Sequence, residues 1–235
     1  MNKDSNKFIV IFASILVVVV ALLLTFTHEA LRGTQQRNEN IDKMSQILRS
    51  VKVHAEGVET ESIFDKMISD VYLVDNQGNM IPDTKDEAFV ADMKVELAKS
   101  EDQRRLPVYE AVVDGQKKYI LALYGTGLWG PLWGYIAVND DGNTVFGADF
   151  SHSGETPGLG AEISQSWFGE RFQGKQLFQD GVFKSVAVVK PGKGTSDRDY
   201  VDGISGGTIT GNGVDHMLYD TLEAYSSFLN KLKNK

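Results

Sequence analysis

The stretch Asp202-Gly203-Ile204-Ser205-Gly206-Gly207-Thr208 places a threonine hydroxyl at the end of a glycine-rich turn, directly ahead of a predicted helix. Glycine adopts positive φ at little cost and allows a ligand to approach the backbone closely. The first amides of a helix have no intrahelical acceptor, and together with the helix dipole they favour an anion. The stretch therefore predicts a phosphate site at Thr208, and a simple capping turn before a helix is the alternative.

The helix after this stretch is predicted by apolar residues that recur with a period near 3.6. The positions that share this spacing are Val214, Met217, Leu218, Leu222, Tyr225 and Phe228. Asn212 or Thr210 is the expected N-cap, because a short polar side chain accepts hydrogen bonds from the free amides of the first turn. One buried helical face is thus expected to follow the glycine-rich turn.

Residues typical of β-strands recur through the rest of the chain, separated by turns that contain glycine. The predicted strands cover residues 71–74, 119–124, 135–138, 144–150 and 182–189. Helical spacing is found at residues 41–51, 59–68, 89–97 and 163–168, and a charged surface loop is expected at 100–105. Turns at 76–79 and 139–143 favour antiparallel pairing. The predicted fold class is α+β, mainly antiparallel sheet with flanking helices.

The amino terminus contains an apolar run at residues 8–26 in which Ser14 and Thr25 are the exceptions. At about 1.5 Å of rise per residue, a helix of this length matches the ~30 Å hydrocarbon core of a bilayer. A cleaved signal peptide is the alternative, but its apolar core is shorter and a small-residue cleavage site follows it. We therefore expect one transmembrane helix. Lys3 and Lys7 oppose Arg32 and Arg37 across it, so charge does not decide its orientation.

Composition narrows the function classes. The formal net charge of -8 argues against nucleic acid and against docking on an anionic lipid surface. The chain has no cysteine, so it supplies no thiolate to an iron–sulfur cluster and forms no disulfide. The four histidines lack metal-ligand spacing, and no metal site is expected.

The stretch 202–208 resembles the flavinylation motif of proteins whose FMN phosphate is joined by a phosphoester to a threonine or serine hydroxyl. In those proteins a dedicated flavin transferase makes the bond. The resemblance implies that Thr208 is the attachment residue and that the residues around it also belong to the cofactor site: Asp202, Ser205, Gly206, Gly207 and Thr210. Asp202 is expected to help present the hydroxyl, and a cap of the turn is the alternative. Gly207 stands where the family usually has alanine.

Two further motifs resemble companion signatures of one family, the C subunit of the sodium-translocating NADH:quinone oxidoreductase. They are Gly127-Leu128-Trp129-Gly130 and Glu155-Thr156-Pro157-Gly158-Leu159-Gly160, and with the threonine motif they occur in the order of that family. Tryptophans between glycines suit a flat isoalloxazine ring, although Trp129 and Trp133 fit a sheet-edge core equally well. Glu155 is expected to bind the cofactor, with a loop carboxylate or helix-entry residue as the alternative.

The expected protein is a membrane-anchored flavoprotein that relays electrons through covalent FMN in a sodium-pumping NADH:quinone oxidoreductase. The resemblance implies other subunits of a membrane respiratory complex, the cell inner membrane and a large periplasmic domain. The expected parts are a tail (1–7), an anchor (8–26), a helical and mixed part (27–117) and an FMN-binding domain (118–235). The alternatives are the G subunit of the related ferredoxin:NAD oxidoreductase, a stand-alone FMN-binding domain and a cofactor-free assembly domain.

Overall fold

The computed structural model describes residues 6–195 and 197–234. The chain divides into two compact units, Met1–Lys43 and Met44–Lys235. The first unit consists of most of helix α1 (Asn6–Ser50), which contains the apolar run 8–26 and is long and apolar enough to cross a membrane. The long apolar helix expected at residues 8–26 is therefore present, and its apolar side chains are exposed within this unit.

The second unit is built around a six-stranded antiparallel sheet with the strand order β2-β1-β3-β4-β5-β6. Its strands are β1 (Ile68–Val74), β2 (Met80–Ile81), β3 (Leu106–Val113), β4 (Gln116–Thr126), β5 (Pro131–Asn139) and β6 (Val145–His152). Each strand from β3 to β6 pairs with its neighbour in sequence, as short glycine-containing turns dictate. The sheet and its helices confirm the α+β fold class.

Short strands and helices surround this sheet. Two small sheets are formed by β7 (Phe178–Gln179) with β8 (Val182–Phe183), antiparallel, and by β9 (Ala187–Val189) with β10 (Tyr200–Asp202), parallel. The helices of this unit are α2 (Glu59–Met67), α3 (Lys85–Val90), α4 (Met93–Ala98), α5 (Ser166–Glu170), α6 (Thr208–Ala224) and α7 (Ser226–Lys233), with 3₁₀ helices at Glu101–Gln103 and Gly160–Ser164.

Helix α6 packs on β4, which positions the amino end of the helix beside the sheet. All six predicted apolar positions from 214 to 228 are buried, but the first four lie in α6, Tyr225 lies between the helices and Phe228 lies in α7. The side chain of Thr221 donates to the carbonyl of Tyr124 (3.1 Å), and the Tyr225 hydroxyl donates to the carbonyl of Pro107 (2.8 Å). The buried face was thus correctly predicted, and the break between the helices was not.

The last turns of α1 belong to the core of the second unit. Ile47 and Leu48 are fully buried, and the Gln46 side chain accepts a hydrogen bond from the Trp133 indole (3.0 Å). Arg49 forms two hydrogen bonds to the Asp149 carboxylate, at 2.9 and 3.1 Å. The helix that leaves the anchor is therefore also a core element.

Several local predictions need correction. Residues 182–189 form β8 and β9 instead of one strand, because Ser185 has a φ of 58° and interrupts the extended backbone. The helix predicted at 89–97 is two helices, and Asp92 caps the second by accepting from the amide of Lys94 (2.9 Å). Strand β3 was missed. The boundary expected between 117 and 118 stays a prediction; both residues lie in β4.

Candidate functional site

The structure brings the three sequence motifs together at the amino end of α6. Thr208 is exposed and is the first residue of α6, so the helix begins earlier than the expected caps Thr210 and Asn212 imply. Gly206 precedes it with a φ of +79°, a left-handed conformation that favours glycine. A Cβ at Gly206 would lie 2.7 Å from Cδ2 of Leu159, so the turn fits closely against the second motif.

The loop that leads to Thr208 (residues 203–207, the threonine loop) begins at hydrogen bonds made by residues outside the motifs. The Asp202 carboxylate accepts from the amide of Gly192 (3.2 Å), and the amide of Gly203 donates to the Val189 carbonyl (2.7 Å). The guanidinium of Arg171 donates to the carbonyls of Asp202 and Gly203. Its Cζ lies 4.6 Å from the centre of the Trp167 ring. Arg171 and Trp167 were not predicted, because they lie far from the motif in sequence.

Glu155 connects the other two motifs to the helix. Its Oε2 accepts a hydrogen bond from the Thr210 hydroxyl (2.6 Å), and its Oε1 accepts from the backbone amide of Trp129 (2.9 Å). The amide of Glu155 donates to Nδ1 of His152 (3.1 Å). The prediction that Thr210 or Asn212 caps the helix is wrong, because Gly207 is the N-cap and Thr210 points to Glu155.

Glycines allow these elements to approach each other closely. A Cβ at Gly127 would lie 2.5 Å from Oε1 of Glu155, and one at Gly160 would lie 2.6 Å from Oε2. In α6, a Cβ at Gly213 would lie 2.5 Å from the Thr126 carbonyl, whereas one at Gly211 would meet its nearest heavy atom at 3.7 Å. The absence of a side chain at Gly213 therefore allows α6 to pack closely against the end of β4.

An exposed apolar surface lies next to this junction. The side chain of Trp129 is 67% exposed, and three more apolar side chains near the start of α6 are about half exposed: Leu128, Leu159 and Ile209. Trp129 is thus not a core residue. Trp133 is half-buried, and its indole donates to Gln46, so it belongs to the packing of α1 and β5. Ile209 was not predicted, because an apolar residue within a helical pattern is normally expected to be buried.

The remaining predicted site residues lie on the same two loops. The amide of Gly127 donates to the carbonyl of Gly130 (2.8 Å), which closes the turn formed by residues 127–130, the tryptophan turn. The Thr156 carbonyl accepts from the amides of Leu159 and Ala161, both at 3.1 Å. Thr156, Pro157 and Gly158 are exposed to solvent, and so are Asp202 and Ser205 before α6.

Comparison with known proteins identifies the family. Residues 127–223 match the FMN-binding domain family. The C subunit of the Na(+)-translocating NADH-quinone reductase of Vibrio anguillarum is 32% identical over 229 residues, which cover 92% of this chain and 89% of the relative. The same protein of Vibrio alginolyticus is 31% identical over 99% of this chain and 97% of its own. The chain belongs to the family of C subunits of Na(+)-translocating NADH-quinone reductases.

Solved structures of this family agree with the assignment. The C subunit of Parabacteroides distasonis superposes with a TM-score of 0.79 at 52% identity, covering 85% of this chain and 96% of that one. The Shewanella oneidensis protein gives a TM-score of 0.67 at 28% identity, covering 84% of this chain and 100% of that one. The agreement favours this family over the alternative of a ferredoxin:NAD oxidoreductase component.

Proposed function

We propose that this chain holds FMN through a phosphoester to the Thr208 hydroxyl and relays electrons through that flavin as the C subunit of a Na⁺-translocating NADH:quinone reductase. Membership of that family and the match to the FMN-binding domain support the flavin and the relay role. The ester linkage and its position are our own proposal. They rest on the geometry at the start of α6.

The observation that carries the proposal is an exposed threonine at the first position of a long helix. Helix α6 has 17 residues, so its dipole is well developed, and the first amides of any helix are free to bind an anion. The positive φ of Gly206 brings the loop backbone close to that end of the helix. A phosphate ester on Thr208 would therefore lie where the backbone favours negative charge.

The residues around Thr208 also fit the rest of an FMN molecule. Trp129 and Leu159 offer apolar faces to a flat ring, and both are exposed. The loop 155–160 offers the accessible Thr156 hydroxyl to the polar edge of a ring. When bound, FMN supplies the redox chemistry, and the chain contributes binding, orientation and electrostatics. The sequence contains no recognisable nucleophile with an activating base, which favours relay over group transfer.

The proposed partners follow from this chemistry. A flavin transferase must reach Thr208, and the exposure of Ser205, Gly206 and Thr208 leaves the hydroxyl accessible. Arg171 donates hydrogen bonds to the carbonyls of Asp202 and Gly203, so the threonine loop has a defined shape for an enzyme to bind. A covalent tether prevents loss of the flavin while it exchanges electrons with other subunits of the membrane complex. A relay at an exposed site is suited to such exchange.

The proposed arrangement in the cell places α1 across the inner membrane once and the large domain on the periplasmic side. We assign FMN binding to residues 118–235. This part contains all three motifs, and the family match at 127–223 lies within it. The expected donor and acceptor are neighbouring subunits of the same complex.

The proposed function is tested by the mass of the intact chain isolated from its host. The mass should exceed that of the sequence by one FMN less one water, because ester formation removes the elements of water. Fragmentation should locate the added mass within the peptide that contains Thr208. A chain with the unmodified mass, and without visible flavin absorbance, would instead support the cofactor-free assembly domain.

Changes at the ring surface should alter the flavin without preventing its attachment. Trp129→Ala removes an apolar face and Thr156→Val removes a hydroxyl, so each should shift the visible spectrum and midpoint potential at unchanged flavin content. Absorbance and redox titration of the full chain measure both effects. Tyr219→Ala is the control, since it removes another exposed aromatic side chain that lies about three helical turns beyond Thr208 along α6. Spectra and potentials equal to wild type in both variants would assign the ring to another surface.

A further inference from the structure

Glu155 is a charged side chain in a buried position at the centre of the candidate site. Its residue is 4% exposed, although it lies in a loop whose next four residues are all exposed. The carboxylate lies between the tryptophan turn and the first turn of α6. Gly127 and Gly160 leave space for it, since a Cβ on either would lie within 2.6 Å of a carboxylate oxygen.

The hydrogen bonds of Glu155 indicate its role. Both carboxylate oxygens accept, one from the Trp129 amide and the other from the Thr210 hydroxyl, so the side chain connects two separate segments. Among the residues that the structure describes, its carboxylate has these two neutral donors and no ion pair. Hydrogen bonds to a charged group are about twice as strong as neutral ones.

We propose that Glu155 is a positioning residue that fixes the Trp129 turn to the first turn of α6, and that its buried negative charge lowers the reduction potential of the flavin. The inference rests on the proposed function for its second part. The bond to Thr210 lies two residues beyond the attachment hydroxyl of Thr208. Glu155 therefore joins the attachment point to the exposed indole that the ring is proposed to contact.

The effect on potential follows from elementary electrostatics. A negative charge repels an added electron, and the repulsion is stronger in a poorly solvated site than in water. Removal of that charge should therefore make reduction of the flavin easier. A carboxylate in solvent at a similar place in the chain should have little influence, because water and salt screen it.

Two substitutions separate positioning from charge. Glu155→Gln removes the charge but keeps the shape of the side chain: its amide oxygen can accept from Trp129 and its amide nitrogen can donate to the Thr210 hydroxyl. Thr210→Val keeps the shape of the threonine and the charge of Glu155, but it breaks the connection to α6. Thr210→Ser retains the hydroxyl and is the control for the second substitution. Glu162→Gln is the control for the first, since Glu162 accepts from the Gly158 amide at the surface of the same loop.

Two measurements on the full chain test the proposal. Hydrogen exchange of the peptide covering 127–130, in chains made without the transferase, should be roughly tenfold faster in Thr210→Val than in Thr210→Ser, as expected for loss of a charge-assisted bond. Redox titration of flavin-carrying chains should give a more positive midpoint potential for Glu155→Gln than for Glu162→Gln. Thr210→Val should show no such increase.

Each outcome has a defined meaning. Equal exchange in the two Thr210 variants would overturn the positioning role. Equal potentials in the two glutamine variants would overturn the role of the charge, and a Glu155→Gln chain that fails to fold leaves the Thr210 comparison to decide the positioning. Wild-type chain without covalent flavin would refute the proposed function instead, and the exchange experiment, which needs no flavin, would still test Glu155.

Discussion

Thr208→Val should abolish the covalent flavin when the chain is produced together with a flavin transferase. Valine has nearly the shape of threonine but no hydroxyl, so the start of α6 should be preserved while the ester cannot form. Thr208→Ser should retain partial modification because the hydroxyl remains on a less constrained side chain. The measurement is flavin fluorescence of the protein band on a denaturing gel, since only a covalent flavin survives denaturation.

The control for this experiment is Thr210→Val. Thr210 is 2% exposed and its hydroxyl donates to Glu155, so a transferase cannot reach it, and its replacement should leave a fluorescent band. Melting temperatures should establish that each variant is folded. A Thr208→Val band as bright as wild type would place the ester on another residue and refute the assignment.

Deletion of residues 1–26 should release a soluble, monomeric and folded chain, whereas deletion of residues 1–51 should not. The shorter deletion removes the apolar run and leaves the unit Met44–Lys235 intact. The longer one also removes Ile47, Leu48 and Val51, which are at most 1% exposed. Truncation of one such side chain typically costs about 2–5 kcal/mol. Loss of all three is comparable with the whole stability of a domain, ~5–15 kcal/mol.

Thermal unfolding by circular dichroism and gel filtration measure these two results. The first truncated chain should give a cooperative transition and a monomeric elution volume, and the second should precipitate or show no transition. A third truncation, which deletes residues 1–43, is the matched control and should behave like the shorter deletion. Precipitation of the 1–26 deletion under all mild conditions, with the full chain soluble in detergent, would mean that the segment is more than an anchor.

Local patterns were sufficient for much of the fold. The apolar run 8–26 and the buried face from 214 to 228 depend on composition and period within one segment, and both are present. Strand β3 was missed because Pro107 and Glu110 interrupt its apolar character. In the folded chain, Glu110 is satisfied by the Tyr72 hydroxyl (2.9 Å) and by Lys117 (2.8 Å). Those partners come from the neighbouring strands, so sequence proximity could not reveal both of them.

In the candidate site, too, features with a local sequence signal were predicted and features that depend on distant residues were not. The threonine motif was recognised as a local stretch, and the structure adds that the hydroxyl is exposed and that Trp129 is at the surface. Arg171 had no local signal, because its partners Asp202 and Gly203 lie 31 and 32 residues further along the chain. Thr210 was predicted as a helix cap because its residue type suits that position. Its true partner lies 55 residues away.

The sequence by itself determined the membrane anchor, the α+β class and the three motifs, because each depends on the period or composition of a continuous segment. The tertiary structure alone decided which residues of those motifs face solvent and which are buried. Glu155 is the clearest case: its loop is polar and accessible, yet its carboxylate is enclosed by the tryptophan turn and α6. Burial and hydrogen-bond partners are set by long-range packing, and local patterns do not contain that information.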